Sequence, residues 1–235
     1  MLILEKKEEF LQQKVNCKKK VKTALIDYGS GNLQSAYKAL ELAGNYRKKN
    51  KIFITSKSKD LLDADKIVLP GVGTFSDCMN GLKSLPGMID ILNEIVLQKK
   101  KPFLGICVGM QLLAIEGKEK GNHKGLGWIK GKVVKIKKNK KIKIPHMGWN
   151  DIEIQRRHPL LEDIKERDEF YFVHSFFPEP ENPASVFASA QYEREFCCAA
   201  GSDNFFGTQF HPEKSGRVGL GLLDRFRNWD GRVVE

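Results

Sequence analysis

Long apolar segments are missing from this 235-residue sequence, and none approaches the roughly 18–20 residues that a membrane-spanning helix needs. The N-terminus also lacks the pattern of a secretory signal, because charged residues follow the short apolar stretch Leu2–Leu4 at once. Cysteine is scarce, with five positions that match no metal-site spacing or disulfide framework: Cys17, Cys78, Cys107, Cys197 and Cys198. We therefore expect a cytoplasmic protein that has no metal site and carries a flexible extension over residues 1–20.

Internal repeats and Gly/Ser-rich or Pro-rich linkers are also absent, which predicts one domain over residues 21–235. Negative charge is under-represented, because 29 Asp and Glu stand against 40 Lys and Arg, for a formal net charge of +11. Such an excess can indicate nucleic-acid binding. However, the densest lysine cluster, residues 135–143, has no aromatic residue on which a base could stack. We interpret it as two strands around a turn at Asn139 and expect neither nucleic acid nor a membrane as a partner.

Strand and helix patterns alternate in the first half of the chain. Short apolar segments at residues 23–29, 52–55, 66–69 and 102–106 predict buried strands. Helical spacing predicts a helix capped by Asn32 that stops near Gly44, and a second helical region from Phe75 to about Gln98, interrupted near Pro86. Short strands dominate after about residue 125, with a helix expected over residues 158–164 and another over 215–229. The sequence thus predicts an α/β fold, a mostly parallel sheet flanked by helices with a β-rich second half.

The segment Gly105-Ile106-Cys107-Val108-Gly109 lies where a predicted buried strand meets a helix. This is the cysteine version of the nucleophile elbow, a sharp turn that strains the nucleophile and crowds its neighbours, so that glycines flank it. The position at a helix N-terminus also favours thiolate over thiol. The alternative is a buried structural cysteine at the end of a strand.

A thiolate nucleophile needs a base and a group that orients the base. One of the five histidines has that context, because the apolar strand at residues 205–210 runs into His211-Pro212-Glu213. Strand alternation would place His211 and Glu213 on the same side, where the carboxylate could fix the imidazole tautomer. A capped strand end with a solvated glutamate is the structural alternative.

An acyl-transfer site also needs backbone N–H groups that bind the oxyanion. The residue after the nucleophile, Val108, would supply one of them. The loop Pro70-Gly71-Val72-Gly73 would supply a second, because its glycines allow the backbone to turn an amide toward the site.

Taken together, these segments resemble the class I (triad-type) glutamine amidotransferases, which have a flavodoxin-like fold. The resemblance extends from about Thr23 to Trp229. It is carried by Asp27–Leu33, Leu69–Phe75, Gly105–Leu113, Pro145–Asn150, Tyr171–Ser175 and Gly207–Gly216. The cysteine elbow and the His-Pro-Glu segment are common to the family, whereas Pro145–Asn150 and the first glycine turn are typical of its histidine-biosynthesis branch. Ser30 is a departure, because Met or Pro often stands there.

The resemblance implies a role for each matching residue. Cys107 is the nucleophile, His211 the general acid and base, and Glu213 its orienter. The oxyanion amides are those of Val72 and Val108. The residues implied to bind glutamine are Gly73, Gln111, Glu119, Ser175 and Phe176. Those implied to face a partner subunit are Asn32, Trp149, Tyr171 and Lys214, although core packing or a surface charge would also explain the last three. No cofactor is implied.

The implied activity is hydrolysis of L-glutamine to L-glutamate and ammonia. In the histidine-biosynthesis branch the ammonia passes to a (β/α)8-barrel cyclase subunit, which forms imidazole glycerol phosphate and an aminoimidazole carboxamide ribotide. One alternative is a paralogous subunit that feeds a barrel synthase modifying surface sugars. Others are a different class I member, a peptidase-like relative, or a non-catalytic regulatory partner that keeps the fold.

Overall fold

The structure is a computed structural model that describes residues 21–44, 51–138 and 142–233. The expected extension over residues 1–20, which includes Cys17, lies outside the described residues, as does the turn at Asn139.

The first half of the chain alternates strands and helices as the sequence predicts. Its strands are β1 (Lys22–Ile26), β2 (Lys51–Thr55), β3 (Lys66–Gly71) and β4 (Phe103–Cys107). Its helices are α1 (Leu33–Ala43), α2 (Phe75–Ser84), α3 (Met88–Leu92) and α4 (Val108–Gln111). A wider π-type turn, Asn93–Gln98, extends α3, and the predicted interruption falls at Gly87, whose φ is 66°.

The second half is rich in short strands. They are β5 (Ala114–Gly117), β6 (His123–Lys124), β7 (Ile129–Lys135), β8 (His146–Asp151), β9 (Glu153–Ile154), β10 (Glu169–His174), β11 (Phe176–Pro180), β12 (Val186–Tyr192), β13 (Arg194–Gly201) and β14 (Phe205–Thr208). Helix α5 (Gly216–Asn228) follows β14 and packs against α1.

The strands of the described residues form one large sheet and two small ones. The large sheet has the order β2-β1-β3-β4-β14-β13-β12-β9, and its first five strands are parallel. β13, β12 and β9 are added antiparallel at one side. The small sheets are β10-β8 and β11-β7-β5-β6. The predicted α/β architecture with a β-rich second half is therefore confirmed.

The most deeply buried strands are central ones, because β3 and β4 are covered on both faces. In a parallel sheet the carboxyl ends of neighbouring strands meet at one edge, and β3, β4 and β14 are neighbours. The segments predicted to carry the chemistry follow these three strands, so the topology brings them to a common edge.

Several local predictions were wrong. The helix expected over residues 158–164 is only a 3-10 turn, Pro159–Leu161, because Glu162 leaves the helical region and Asp163 takes a φ of 64°. Asn32 stands at the N-cap of α1 but makes no side-chain capping bond. Strand β14 ends at Thr208, short of the predicted Phe210. Among the described residues of the lysine cluster, Lys135 alone lies in a strand, since residues 136–138 and 142–145 lie in no strand.

Candidate active site

Cys107 ends β4 in a conformation that L-residues rarely adopt, with φ 56° and ψ −111°. The flanking glycines are required by space. A Cβ at Gly109 would lie 1.9 Å from the carbonyl oxygen of Leu69, and one at Gly105 would lie 2.6 Å from that of Gly109. The structure thus has the strained, glycine-flanked elbow that the sequence predicts. However, α4 is a single turn, so its dipole stabilises negative charge on the sulfur only weakly. More of that stabilisation has to come from side-chain hydrogen-bond donors.

His211 and Glu213 are joined by a short hydrogen bond, with Nδ1 of His211 2.7 Å from Oε1 of Glu213. Because a carboxylate only accepts, Nδ1 carries the proton and Nε2 presents its lone pair when the ring is neutral. Nε2 is buried and has no hydrogen-bond partner within the described chain. The predicted pairing is present, although a 3-10 turn at Pro212–Lys214 produces it rather than strand alternation.

The electrostatics around His211 favour the charged form of its imidazole, which lies beside Cys107 in the cavity. Burial lowers the pKa of His211, but negative charge on Cys107 and then on Glu213 outweighs it and raises the pKa to about 10. This is the environment of an activated cysteine. Burial raises the pKa of Cys78 and Cys198, and raises that of Cys197 to about 12.

The loop after β3 is tied down beside the nucleophile. Its Val72 carbonyl accepts hydrogen bonds from the hydroxyl of Ser30 and from Sγ of Cys78, the latter at 3.3 Å. The hydroxyl of Tyr28 donates to the Pro70 carbonyl at 2.7 Å. Sequence reasoning noted Ser30 only as a departure and missed its contact with the loop. Gly73 follows with a φ of 102°, a conformation that favours glycine.

A cavity of about 260 Å³ opens over Cys107. Drug-sized ligands occupy cavities of roughly 300–1,000 Å³, so this volume suits a small molecule such as a free amino acid. It brings together most of the predicted site residues: Val72, Gly73, Cys107, Val108, Gln111, Glu119, Ser175, Phe176, His211 and Lys214. Glu213 is not in the lining because it contacts the ring of His211. Pro145, Val173 and His174 also line the cavity and were not predicted as site residues.

Two of the residues implied to bind glutamine are held in defined positions. Glu119 lies beyond β5, and its Oε2 accepts a hydrogen bond of 2.8 Å from the Phe75 amide at the start of α2. Gln111 is buried, and its Nε2 donates to the Phe176 carbonyl and to Oε1 of Gln209, each at 3.0 Å. These anchors place one carboxylate and one amide in the cavity wall.

Three of the four residues implied to face a partner, Trp149, Tyr171 and Lys214, form an exposed aromatic cluster beside the cavity. Trp149 is 54% exposed, so the alternative of core packing is wrong for it. Its ring lies 5.8 Å from that of Tyr171, and Nζ of Lys214 lies 5.9 Å from the Tyr171 ring centre. Met147 on the same strand is 62% exposed. Asn32 is half-buried in the turn before α1 and is not part of this cluster.

Other features of the described residues offer less. A larger groove of about 460 Å³ is lined by residues of β8, β9, β12 and β13 with Ile164–Glu166, and the lining includes neither a cysteine nor a histidine. No group of three or more His, Cys, Asp or Glu in the described ranges could hold a metal ion. Within those ranges no helix has both the length and the apolar character to cross a membrane.

An open α/β sheet with a strained cysteine at the end of one central strand and a His–Glu pair after the next defines a triad-type cysteine enzyme of the acyl-transfer class. The family model described as "Glutamine amidotransferase class-I" matches residues 24–226. Imidazole glycerol phosphate synthase subunit HisH of Zymomonas mobilis is 48% identical over 209 residues, which is 88% of this chain and 95% of that protein. The subunit of the same name from Rhodospirillum rubrum is 49% identical over 212 residues, or 89% and 99%.

Solved structures agree on the fold. A glutamine amidotransferase from Thermotoga maritima superposes with a TM-score of 0.56 at 18% identity, covering 84% of this chain and 78% of that one. The chain belongs to the class-I glutamine amidotransferase family, and within it to the family of the HisH subunits.

Proposed function

We propose that this chain is the glutaminase subunit of an imidazole glycerol phosphate synthase, with Cys107 as its nucleophile. The observation that carries the proposal is that Cys107 and His211 line one cavity sized for an amino acid, and that Glu213 is hydrogen-bonded to His211. The names of the 48–49% identical relatives supply the pathway.

The Cys107 thiolate attacks the γ-carbonyl of glutamine and forms a tetrahedral oxyanion, which the backbone amides of Val72 and Val108 bind. Protonated His211 gives its proton to the departing nitrogen, and the C–N bond breaks to release ammonia and leave a glutamyl thioester. Neutral His211 then takes a proton from water, whose oxygen attacks the thioester. The C–S bond breaks, glutamate leaves, and the thiolate is restored.

The head group of glutamine carries one ammonium and one carboxylate, and the cavity has a partner for the ammonium. The carboxylate of Glu119 uses Oε2 for the Phe75 amide, which leaves Oε1 to accept from the ammonium. We assign the remaining contacts to Gly73, Gln111, Ser175 and Phe176, which line the same cavity.

We further propose that the ammonia passes to a (β/α)8-barrel cyclase docked on the face that carries Trp149, Tyr171 and Lys214, with Asn32 as a further contact. Lys214 supports this, because it belongs both to the exposed aromatic cluster and to the cavity lining. Docking there would cover the mouth of the cavity and keep ammonia from being lost to water as ammonium. We place the reaction in the cytoplasm and assign residues 21–235 to one amidotransferase domain.

Cys107→Ala tests the proposal in the assembled complex. With the cyclase of the histidine pathway, the variant should lose glutamine-dependent synthesis and keep synthesis from added ammonium salt. Loss of both activities by a complex that still assembles would overturn it. If the unmodified chain supports glutamine-dependent synthesis only with a barrel synthase that modifies surface sugars, the paralogous pathway is supported instead. If Cys107→Ala still hydrolyses glutamine, Cys107 is not the nucleophile.

A further inference from the structure

Gln209 is a completely buried side chain next to the nucleophile, and the mechanism above does not use it. It follows β14, whose residue Thr208 pairs with Ile106 in the parallel ladder with β4. The residues that follow this pair, Gln209 and Cys107, therefore lie side by side. Nε2 of Gln209 lies 3.7 Å from Sγ of Cys107, within the range for an N–H donor to sulfur.

The direction of the Gln209 amide is set by a backbone carbonyl two contacts away. The carbonyl oxygen of Phe176 can only accept, so the side chain of Gln111 must turn its NH2 group toward it. The other N–H of that group then points to Gln209, whose side chain must present Oε1. This leaves the NH2 group of Gln209, and not its oxygen, facing the sulfur.

The Phe176 carbonyl also accepts a hydrogen bond from His174, so it has two donors. Nδ1 of His174 lies 2.9 Å from the Phe176 oxygen, so it carries the proton and Nε2 accepts from Nδ1 of His146 at 3.0 Å. Both rings are neutral near pH 7, because burial lowers the pKa of His146 to about 4 and that of His174 to about 3. Neither Gln111 nor Gln209 can exchange the positions of its amide oxygen and nitrogen without losing a buried hydrogen bond.

We propose that Gln209 is a catalytic residue that donates a hydrogen bond from Nε2 to the Cys107 thiolate, with Gln111 as the positioning residue that fixes this donor. The inference rests on the proposed function in one respect, namely that Cys107 is the nucleophile. The need for such a donor follows from the site. Cys107 is only 4% exposed, so its thiolate loses most of its water, and α4 is too short to replace that solvation.

An amide donor suits this task because it stabilises the thiolate without being able to protonate it at physiological pH. His211 can then keep its proton for the leaving nitrogen. The network also limits how Gln111 can bind the substrate glutamine. Both hydrogens of its NH2 group are used within the protein, so only Oε1 remains to receive a donor from glutamine.

The test is the pH dependence of Cys107 alkylation by iodoacetamide, a small neutral reagent that does not need the glutamine pocket. It compares the unmodified full-length chain with Gln209→Met, which has similar size but no donor, and with Gln209→Glu, which replaces the donor by an acceptor. Gln191→Met is the matched control, because Gln191 has an exposed side chain on β12. Modification of Cys107 is followed by mass spectrometry.

We expect the pH of half-maximal alkylation to rise by about one unit in Gln209→Met, so that on the acid limb the rate falls about tenfold at fixed pH. Gln209→Glu should shift it further, because a carboxylate adds repulsion, and Gln191→Met should not shift it. Unchanged profiles in both folded Gln209 variants would overturn the inference.

A measurement on the unsubstituted chain keeps the inference testable if both variants fail to fold. The side-chain NH2 resonance of Gln209 should shift when Cys107 is alkylated, and a resonance that does not move would overturn the inference. The proposed function fails separately. If Cys107→Ala still hydrolyses glutamine, the nucleophile is wrong; if it is inactive while the Gln209 profiles are unchanged, only the inference about Gln209 falls.

Discussion

Nδ1 of His211 lies 2.7 Å from Oε1 of Glu213, and the two side chains are only 1% and 3% exposed. The pair forms because a 3-10 turn follows His211 and returns Glu213 to the ring. The main chain of His211 is fixed as well, since its amide donates to the Tyr171 carbonyl and its carbonyl accepts from the Ser215 hydroxyl. The general base is thus positioned from strand β10 as well as from its own segment.

Glu213→Gln should reduce glutamine hydrolysis by about 10³–10⁴-fold, because an amide can turn its NH2 group toward the imidazole and stabilise the wrong tautomer. The substitution preserves the size of the side chain, so the melting temperature should change little although the activity is lost. The measurement is glutamate release by the assembled complex. Glu181→Gln, at an exposed position, is the control. A Glu213→Gln variant with near-normal turnover would remove the orienting role.

A glutamine-mimicking electrophile should label Cys107 before any other described cysteine. Burial raises the pKa of Cys78, Cys197 and Cys198, so these remain thiols at neutral pH and react slowly. Free glutamine should protect against the label by occupying the cavity, and Glu213→Gln should slow labelling. Peptide mapping that finds the label mainly on Cys78, Cys197 or Cys198 would contradict the assignment of the nucleophile.

Ser30→Ala should lower kcat for glutamine hydrolysis several-fold with little change in KM. The hydroxyl of Ser30 holds the Val72 carbonyl, and loss of an oxyanion donor altogether costs about 10²–10³-fold in rate. Cys78→Ala should act in the same direction but more weakly, because a thiol is a poor donor. Ser202→Ala at an exposed site serves as the control. A Ser30→Ala variant in which KM alone changes would show that the hydroxyl does not act through the oxyanion loop.

The parts of the site that the sequence predicted are those written in short segments. Glycines on both sides of Cys107 indicated the elbow, and His211 and Glu213 are only two residues apart. The contacts that were missed join distant positions. Gln209 reaches Cys107 across 102 residues of sequence, and Ser30 reaches Val72 across 42. These contacts depend on which strands are neighbours and on the β4–β14 register, which no local pattern contains.

The wrong predictions have a similar origin. In place of the helix expected over residues 158–164, a single 3-10 turn buries Leu160 and Leu161, and Asp163 follows in a left-handed conformation. The helix after Cys107 stops at Gln111 because the chain has to enter β5, and this shortening is what leaves the thiolate dependent on side chains.

Acid should destabilise the fold through three buried histidines. Burial lowers the pKa of His146 to about 4, and those of His158 and His174 to about 3. The unfolded chain binds protons near the ordinary pKa of about 6.5, so the folded form is favoured above that pH and loses stability as the pH falls below it. Urea unfolding should therefore give a free energy of unfolding that decreases from pH 7 toward acid.

His158 is the site at which to check this pH dependence, because it is packed among Phe187, Phe206 and Trp229 and lies outside the cavity lining. His158→Phe should weaken the dependence of the free energy of unfolding on pH. The substitution also removes the hydrogen bond from the Leu160 amide to His158, so stability at pH 7 can change separately. Identical slopes in the two proteins would show that His158 does not titrate on unfolding. His211 acts in the opposite sense, because its raised pKa favours the folded form below about 6.5, a contribution that is lost as the pH rises through about 10.

The isolated chain should be a poor glutaminase that the cyclase activates when the cyclase's own substrate site is filled. The reason lies in the loop after β3. Its Val72 carbonyl is tied to Ser30 and Cys78, whereas Gly73 has a φ of 102° and open space where a side chain would be. The N–H of Val72 belongs to the peptide that joins it to Gly71, and the absence of a side chain at Gly71 allows this peptide to turn toward or away from the oxyanion position. A docked partner need bias only this one backbone element.

The measurement is glutamate release by the chain alone, with the cyclase, and with the cyclase plus a substrate analogue. We expect successive increases of up to about 10²–10³-fold in total, the effect of recovering one oxyanion donor. Trp149→Ala should weaken association with the cyclase and leave the rate of the isolated chain unchanged, because Trp149 is exposed and does not line the cavity. Equal turnover in all three conditions would remove the activation and leave the Cys–His–Glu chemistry in place. If Trp149→Ala binds the cyclase normally, the partner docks on another face.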